Sequence, residues 1–309
     1  MRPFRFAVQA TGAGSGKQWR ARARAVEAMG YSTLFVPDHL DGQWGPLVAL
    51  TVAAEATESL RVGSLVLDND YRNPVVLAKE LASLDLASDG RLEVGLGAGW
   101  RRSDYEESGI AFDDASTRVE RLGEALHILR SLLAEGGTTF EGRHYRVREA
   151  AGLPRPASRP RPPLLVGGGG RRVLRLAARE ADIVGVNPSL AAGAVGPAAV
   201  ASAAPERFDE RLRWIREAAG ERFDALELCC LTQTAEVGPG ASHRLEALAP
   251  AFGLEPAVAR EIPLVLAGEA AEVSEGLQER RERYGLSYWV VHDAEADGFA
   301  AVVDRLAGR

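Results

Sequence analysis

Pro163-Leu164-Leu165-Val166-Gly167-Gly168-Gly169-Gly170-Arg171-Arg172-Val173-Leu174 joins a short apolar run to a helical pattern through four consecutive glycines. An apolar run bounded by glycine suits a strand buried on both faces, and 171–180 carries the period of a helix. The alternation recurs outward in both directions. Candidate strands cover 4–10, 33–36, 61–67, 91–97, 164–167, 183–186, 226–235 and 287–291. Helical patterns lie at 18–29, 74–88, 118–134, 171–180, 206–219, 269–284 and 299–307. In 18–29, Trp19, Ala23, Val26 and Met29 share one face, and Gly30 stops the helix. Eight strands alternating with helices predict an α/β protein, a (β/α)8 TIM barrel, with a doubly wound sheet as the alternative. The whole chain, 1–309, reads as one such domain.

Two segments break the repeat. After the fourth strand–helix unit, 135–163 holds five prolines between Pro154 and Pro163 and reads as an excursion outside the barrel. The stretch 189–204 is rich in Ala and Gly without a period and reads as a mobile loop over the mouth.

Composition narrows the classes of function. Apolar residues make up 46% and charged residues 26%, which excludes a disordered chain. Lys and Arg number 37 against 43 Asp and Glu, a net charge of -6, so no nucleic-acid partner is expected. Cys229 and Cys230 are adjacent and on opposite faces of a strand, which excludes a disulfide between them; no metal site is expected. No apolar run is long enough to span a membrane and no signal peptide is evident, so a cytoplasmic protein is expected.

Barrel enzymes carry their chemistry on the loops after the strands. The residues there are Gln9-Ala10-Thr11, Pro37-Asp38-His39 with Trp44, Asp68-Asn69-Asp70, Gly95–Trp100 and Gly167–Arg172. Glycines ahead of a helix let backbone N–H groups reach an anion, and Arg171 and Arg172 add positive charge. The plainer reading is a loop that needs positive φ. A Cβ at Gly169 or Gly170 is expected to block the anion and leave the fold intact. Gly95, Gly97 and Gly99 lack the dinucleotide spacing and read either as a close approach to a flat ligand or as a tight turn. His39 beside Asp38 is the catalytic candidate, since an imidazole at a strand end can move protons; Trp44 could wall a ring system. His127, His144 and His243 read as structural or solvated. No serine nucleophile elbow occurs.

Taken together, Tyr71-Arg72-Asn73-Pro74, Asp89-Gly90-Arg91-Leu92-Glu93-Val94-Gly95-Leu96-Gly97-Ala98-Gly99-Trp100 and the glycine run resemble the luciferase-like monooxygenase superfamily. The resemblance implies a luciferase-like barrel that binds coenzyme F420, a deazaflavin, with FMN as the alternative. It implies catalytic roles for His39, Asp38 and Trp44. It implies cofactor contacts at Asp38, Leu65, Val66, Asp68, Ala98, Gly99, Ser103, Gly169, Gly170, Arg172 and Val173, with a non-proline cis bond in the third strand at Leu65-Val66. The family's deazaflavin-dependent sugar-phosphate dehydrogenases carry Glu where Trp100 stands. The implied activity is hydride transfer between the reduced deazaflavin and a small organic substrate. The alternatives are an FMN-dependent luciferase-like monooxygenase and a non-catalytic flavin-binding relative. The partners implied are a small-molecule substrate and a second copy of the chain in a homodimer.

Overall fold

Short strands that are apolar on both faces need helices outside and a filled interior. The computed structural model describes residues 1–12, 14–190, 193, 197–252 and 255–309. Eight parallel strands close into a barrel: β1 (Arg5–Gln9), β2 (Thr33–Val36), β3 (Arg61–Ser64), β4 (Leu92–Gly97), β5 (Leu164–Gly168), β6 (Ile183–Val186), β7 (Glu227–Leu231) and β8 (Leu286–His292). Each pairs with the next in the chain, and β8 returns to β1 with Ala7 opposite Val290. The closed barrel stands and the open sheet falls. Around it run α1 (Gly16–Ala28), α2 (Pro46–Ala56), α3 (Pro74–Ala87), α4 (Ala115–Arg130), α5 (Arg171–Glu180), α6 (Pro205–Ala219), α7 (Ala270–Tyr284) and α8 (Ala296–Leu306).

The departures from the sequence reading have physical causes. Helix α2 went unread because its sequence, PLVALTVAAEA, is too uniformly apolar for a stripe to stand out. Helix α4 begins three residues earlier than expected, at the Asp114 cap, whose carboxylate accepts from the N–H groups of Ser116 and Thr117. The apolar run 226–235 is two strands. The chain leaves the barrel after Leu231, and Thr234–Val237 pairs with Val265–Gly268 in a separate two-stranded sheet. The excursion at 135–163 opens with an antiparallel hairpin, Gly137–Glu141 with Arg146–Ala151, ahead of its prolines. Glu124 holds the hairpin's turn by accepting from the N–H groups of Arg143, His144 and Tyr145. Within 189–204, Pro197–Ser202 is helical rather than loop, and 191–192 and 194–196 lie outside the described residues.

The barrel interior is layered. At its N-terminal end Glu93, 1% exposed, accepts from Arg5 and from Arg61 at 2.6 Å. The Tyr288 hydroxyl donates to Glu93 at 2.9 Å and lies 2.7 Å from Thr33, while Arg5 reaches on to Glu227 at 2.8 Å. Above this floor Ala7, Phe35, Leu65, Leu165, Cys229 and Val290 fill the centre. The Phe35 ring has room only because residue 63 is glycine, whose Cβ would lie 2.7 Å from it. Cys229 joins this inner cluster and Cys230 the outer one, both as free thiols.

Removing one partner from a buried ion pair leaves charge without compensation. Glu93→Gln is therefore expected to destabilise the barrel by about 3–5 kcal/mol. Urea denaturation followed by circular dichroism checks this, and a loss below about 1 kcal/mol would mean that water already screens the floor.

Candidate active site at the mouth of the barrel

The C-terminal ends of the strands form a polar mouth, and its back wall is the point where β3 breaks. The β3 pairing breaks after Ser64, the Leu65–Val66 bond is cis with both side chains against the inner cluster, and Leu67–Asp68 rejoins the barrel against Leu96 and Gly97. The position expected for the cis bond is the position observed. Gln9 at the end of β1 donates to the Leu65 carbonyl at 2.7 Å and fixes the bulge from the far side. The glycines of β4 serve this wall. A Cβ on Gly95 would collide with the Ser64 carbonyl, and one on Gly97 would lie 2.6 Å from Val66. They make room for a neighbouring strand, so neither of the two sequence readings of these glycines holds for Gly95 and Gly97.

His39 stands at the end of β2, and its Nδ1 is 2.7 Å from an Asp104 carboxylate oxygen. Asp104 is buried on a short helix, Arg102–Ser108, and is 2% exposed. A carboxylate facing Nδ1 selects the tautomer that carries its proton there, which leaves Nε2 to accept or deliver a proton. The Trp100 ring meets His39 edge to face, with centroids 5.6 Å apart. Two expectations change here. Trp44 packs 6.4 Å from Trp19 and against Gly12, so the aromatic neighbour of His39 is Trp100. Asp38 does not hold His39; its carboxylate accepts from the guanidinium of Arg72 and from the Asp68 N–H at 3.1 Å. Asp104 was missed because it lies 65 residues from His39 in sequence, on a helix too short to show a period.

Beside the bulge, Asp68 accepts from the Asp70 N–H at 2.9 Å and from the Tyr105 hydroxyl at 3.1 Å. Asp70 in turn pairs with Arg121 at 3.0 Å. Burial pushes the Asp68 carboxyl up to about 7, reinforced by the charges of Asp70 and Asp38. Gly99 closes over this group. Its φ is +73°, and a Cβ there would strike the Tyr105 hydroxyl.

The glycine run ends in a bare helix terminus. Gly170 caps α5 without any side-chain hydrogen bond, so no side chain satisfies the first N–H groups of the helix. None of Gly167, Gly168, Gly169 and Gly170 has positive φ, so the plainer reading of this run fails. Two are there for packing: a Cβ on Gly168 would collide with Val173, and one on Gly169 with the Pro188 carbonyl. Gly169→Val would therefore disturb the fold itself, against expectation. Gly170 has nothing within 4 Å of its Cβ position. That open space at a helix N-terminus, with the exposed Arg171 and Arg172 beside it, fits a phosphate group.

The structure thus brings His39, Asp68, the Leu65–Val66 wall, Ala98, Gly99 and the 169–173 loop to the loops at one end of the barrel. Ser103 lies exposed on the helix Arg102–Ser108, and Arg172 reaches across to the Ser116 hydroxyl. His127 stacks on Phe140 at 5.2 Å in the outer layer, and His243 is exposed. Gln9, placed at the rim by the sequence without a role, takes one in holding the Leu65 carbonyl. Among the described residues, no cluster of three His, Cys, Asp or Glu is placed to hold a metal, and no helix is long and apolar enough to cross a membrane.

Asp68 supplies a pH test. Its folded pKa lies above its unfolded one, so the folded protein binds more protons between about pH 4 and 7, and stability falls as pH rises through that window. Asp68→Asn is expected to remove that fall, gaining on the wild type above pH 7 by on the order of a few kcal/mol. Parallel urea melts at pH 5 and pH 8 check it; equal slopes in both proteins would show that Asp68 ionises normally.

An F420-dependent glucose-6-phosphate dehydrogenase of Microbacterium testaceum is 33% identical over 165 residues, 51% of this chain and 48% of that protein. An FMNH(2)-dependent dimethylsulfone monooxygenase of Pseudomonas putida is 29% identical over 127 residues, 41% of this chain and 35% of that protein. The chain spans about half the length of the curated relatives it matches. Among solved structures, the coenzyme F420 dependent tetrahydromethanopterin reductase of Methanopyrus kandleri superposes with a TM-score of 0.76, covering 98% of both chains at 17% identity. The family model of the luciferase-like monooxygenases matches residues 1–213, and this chain belongs to that family.

Proposed function

We propose that the protein is an F420-dependent oxidoreductase that transfers a hydride to or from a small organic substrate. The observation that carries the reading is an imidazole with a fixed tautomer at the barrel mouth where a bare, glycine-opened helix terminus also lies. Its relatives named for F420 support the cofactor. A bound deazaflavin supplies two-electron hydride chemistry and, unlike flavin, little reactivity towards oxygen. The chain's own residues do the rest. The N–H groups at the start of α5, with Gly170, would hold the phosphate. Val66 and Leu65 would back the ring, and Asp68, Ala98, Gly99, Ser103, Arg172 and Val173 would line the cofactor's path. His39 Nε2 would move the proton that accompanies the hydride, and Asp104 would keep the imidazole aimed and stabilise it when charged. Asp38 would act on the wall through Arg72 and the Asp68 N–H.

A second reading, an FMN-dependent monooxygenase on the same scaffold, is favoured by the relative named for dimethylsulfone. The whole of 1–309 would act as one barrel domain in the cytoplasm, with 135–163 and 189–204 shaping the substrate pocket. Val48 and Val76, 64% and 56% exposed on the touching helices α2 and α3, support a homodimer built on that face.

Fluorescence titration decides between cofactors: F420 is expected to bind at least ten-fold more tightly than FMN. Equal or tighter FMN binding would move the chain to the monooxygenase reading. Gly170→Val should weaken binding of either cofactor and leave the melting temperature unchanged. His39→Ala should lower single-turnover rates by about 10²–10⁴ at saturating cofactor, and Asp104→Asn should lower them with little change in cofactor affinity. A variant that binds poorly yet turns over normally when saturated would leave His39 a mere contact.

A further inference from the structure

Of the described arginines only Arg118 and Arg211 are fully buried, at 6% and 3% exposure, and both serve the rim. Arg118, in the first turns of α4, donates to the carbonyls of Ala98 at 3.0 Å, Gly99 at 3.4 Å and Asp113, and lies over the Phe112 ring at 4.0 Å. Arg211, in α6, donates to the carbonyls of Gly169 at 3.0 Å and Ser202 at 2.6 Å. Ala98, Gly99 and Asp113 lie between β4 and α4, Gly169 follows β5, and Ser202 ends the helix Pro197–Ser202 after β6; the three strands are consecutive neighbours in the barrel.

Neither guanidinium has a carboxylate within 4 Å among the described residues, and none of the remaining residues is acidic. Arg5, Arg61, Arg72 and Arg121 each meet an Asp or Glu. Arg91, Arg155, Arg222 and Arg280 are also tied to carbonyls and to no carboxylate among the described residues, but each is only half-buried, so burial is what sets Arg118 and Arg211 apart. A buried, unpaired charge is expensive to keep, and burial lowers Arg211 to about 10. The fold carries two such charges, one behind the loop after β4 and one behind the segments after β5 and β6.

We propose that Arg118 and Arg211 are the counter-charges of a cofactor phosphate held between the loops after β4 and β5, and that they make the site select a phosphorylated cofactor over its phosphate-free form. Each draws carbonyl dipoles back from the mouth, which leaves N–H groups forward and adds a positive field in a region of low dielectric. They are positioning and specificity residues, with no contact to the reacting atoms. The inference rests on the glycine loop being the phosphate site, and not on the choice between deazaflavin and FMN.

The test is the affinity ratio of phosphorylated to phosphate-free chromophore, measured by fluorescence quenching with FMN against riboflavin and with the ribityl deazaflavin 5′-phosphate against the ribityl deazaflavin. Arg211→Gln and Arg118→Gln should each shrink the ratio about ten-fold or more while phosphate-free binding holds. Arg211→Lys, which keeps the charge and loses the planar fork, should restore most of it. An unchanged ratio, or equal loss with both forms, would overturn the proposal and leave the arginines as loop anchors. If the Gln variants do not fold, the Lys variants decide: a retained ratio supports the proposal and a collapsed one overturns it. If no chromophore binds at all, the proposed function fails while this inference is still read. Inorganic phosphate should then raise the wild-type melting temperature beyond chloride of equal ionic strength, and a shift no larger than chloride's would refute it.

Discussion

Glu93 is the constraint from which the barrel is organised. One carboxylate, sealed at the N-terminal end, is shared by Arg5 of β1, Arg61 of β3 and Tyr288 of β8, and through them it touches Thr33 of β2 and Glu227 of β7. Six of the eight strands meet in this one network. An ion cluster of this kind contributes little net stability over an apolar core, but it tolerates very few alternative arrangements. It therefore fixes register, and register decides which side chains point inward at the other end. The inward positions Arg5, Ala7 and Gln9 of β1 show the sequence of layers: charge at the floor, a small apolar residue at the centre, an amide at the mouth.

The mouth runs on the opposite logic. Where the floor pairs every charge, the rim keeps several groups short of partners: the bare first turn of α5, the free Nε2 of His39, the neutral-leaning carboxyl of Asp68 and two arginines without carboxylates. Each costs stability in the absence of a ligand, and each is complementary to a group that a phosphorylated ring cofactor carries. The barrel is thus an asymmetric object, satisfied at one end and waiting at the other.

Much of the fold was legible because its signals are local. Apolar runs marked all eight strands, and the glycine punctuation placed α5 to the residue. What failed was whatever depended on neighbours far away in sequence. Helix α2 has no stripe, being apolar nearly all round. The run 226–235 has one continuous pattern and still divides, because its second half found another partner in Val265–Gly268. At the site, nearness in sequence made Trp44 look like the neighbour of His39, while the fold supplies Trp100 and Asp104 from beyond β4. The glycines misled in a similar way. Gly95, Gly97, Gly168 and Gly169 each make space for protein atoms, and only Gly170 leaves space for something else.

The packing of Val66 over the β4 glycines reaches beyond the native reaction. Because Gly97 has no Cβ, Val66 occupies the volume a side chain there would need, so the two positions divide a single space between two strands. Their substitutions are coupled: enlarging residue 97 is admissible only after or alongside a smaller residue 66, so the order of the two steps is fixed. A lineage or a laboratory library that enlarges residue 97 first will find this wall closed and will remodel the pocket through the loops instead. The back wall is a ratchet on sequence drift, and the diversity of such a scaffold accumulates on the side of the pocket that faces it.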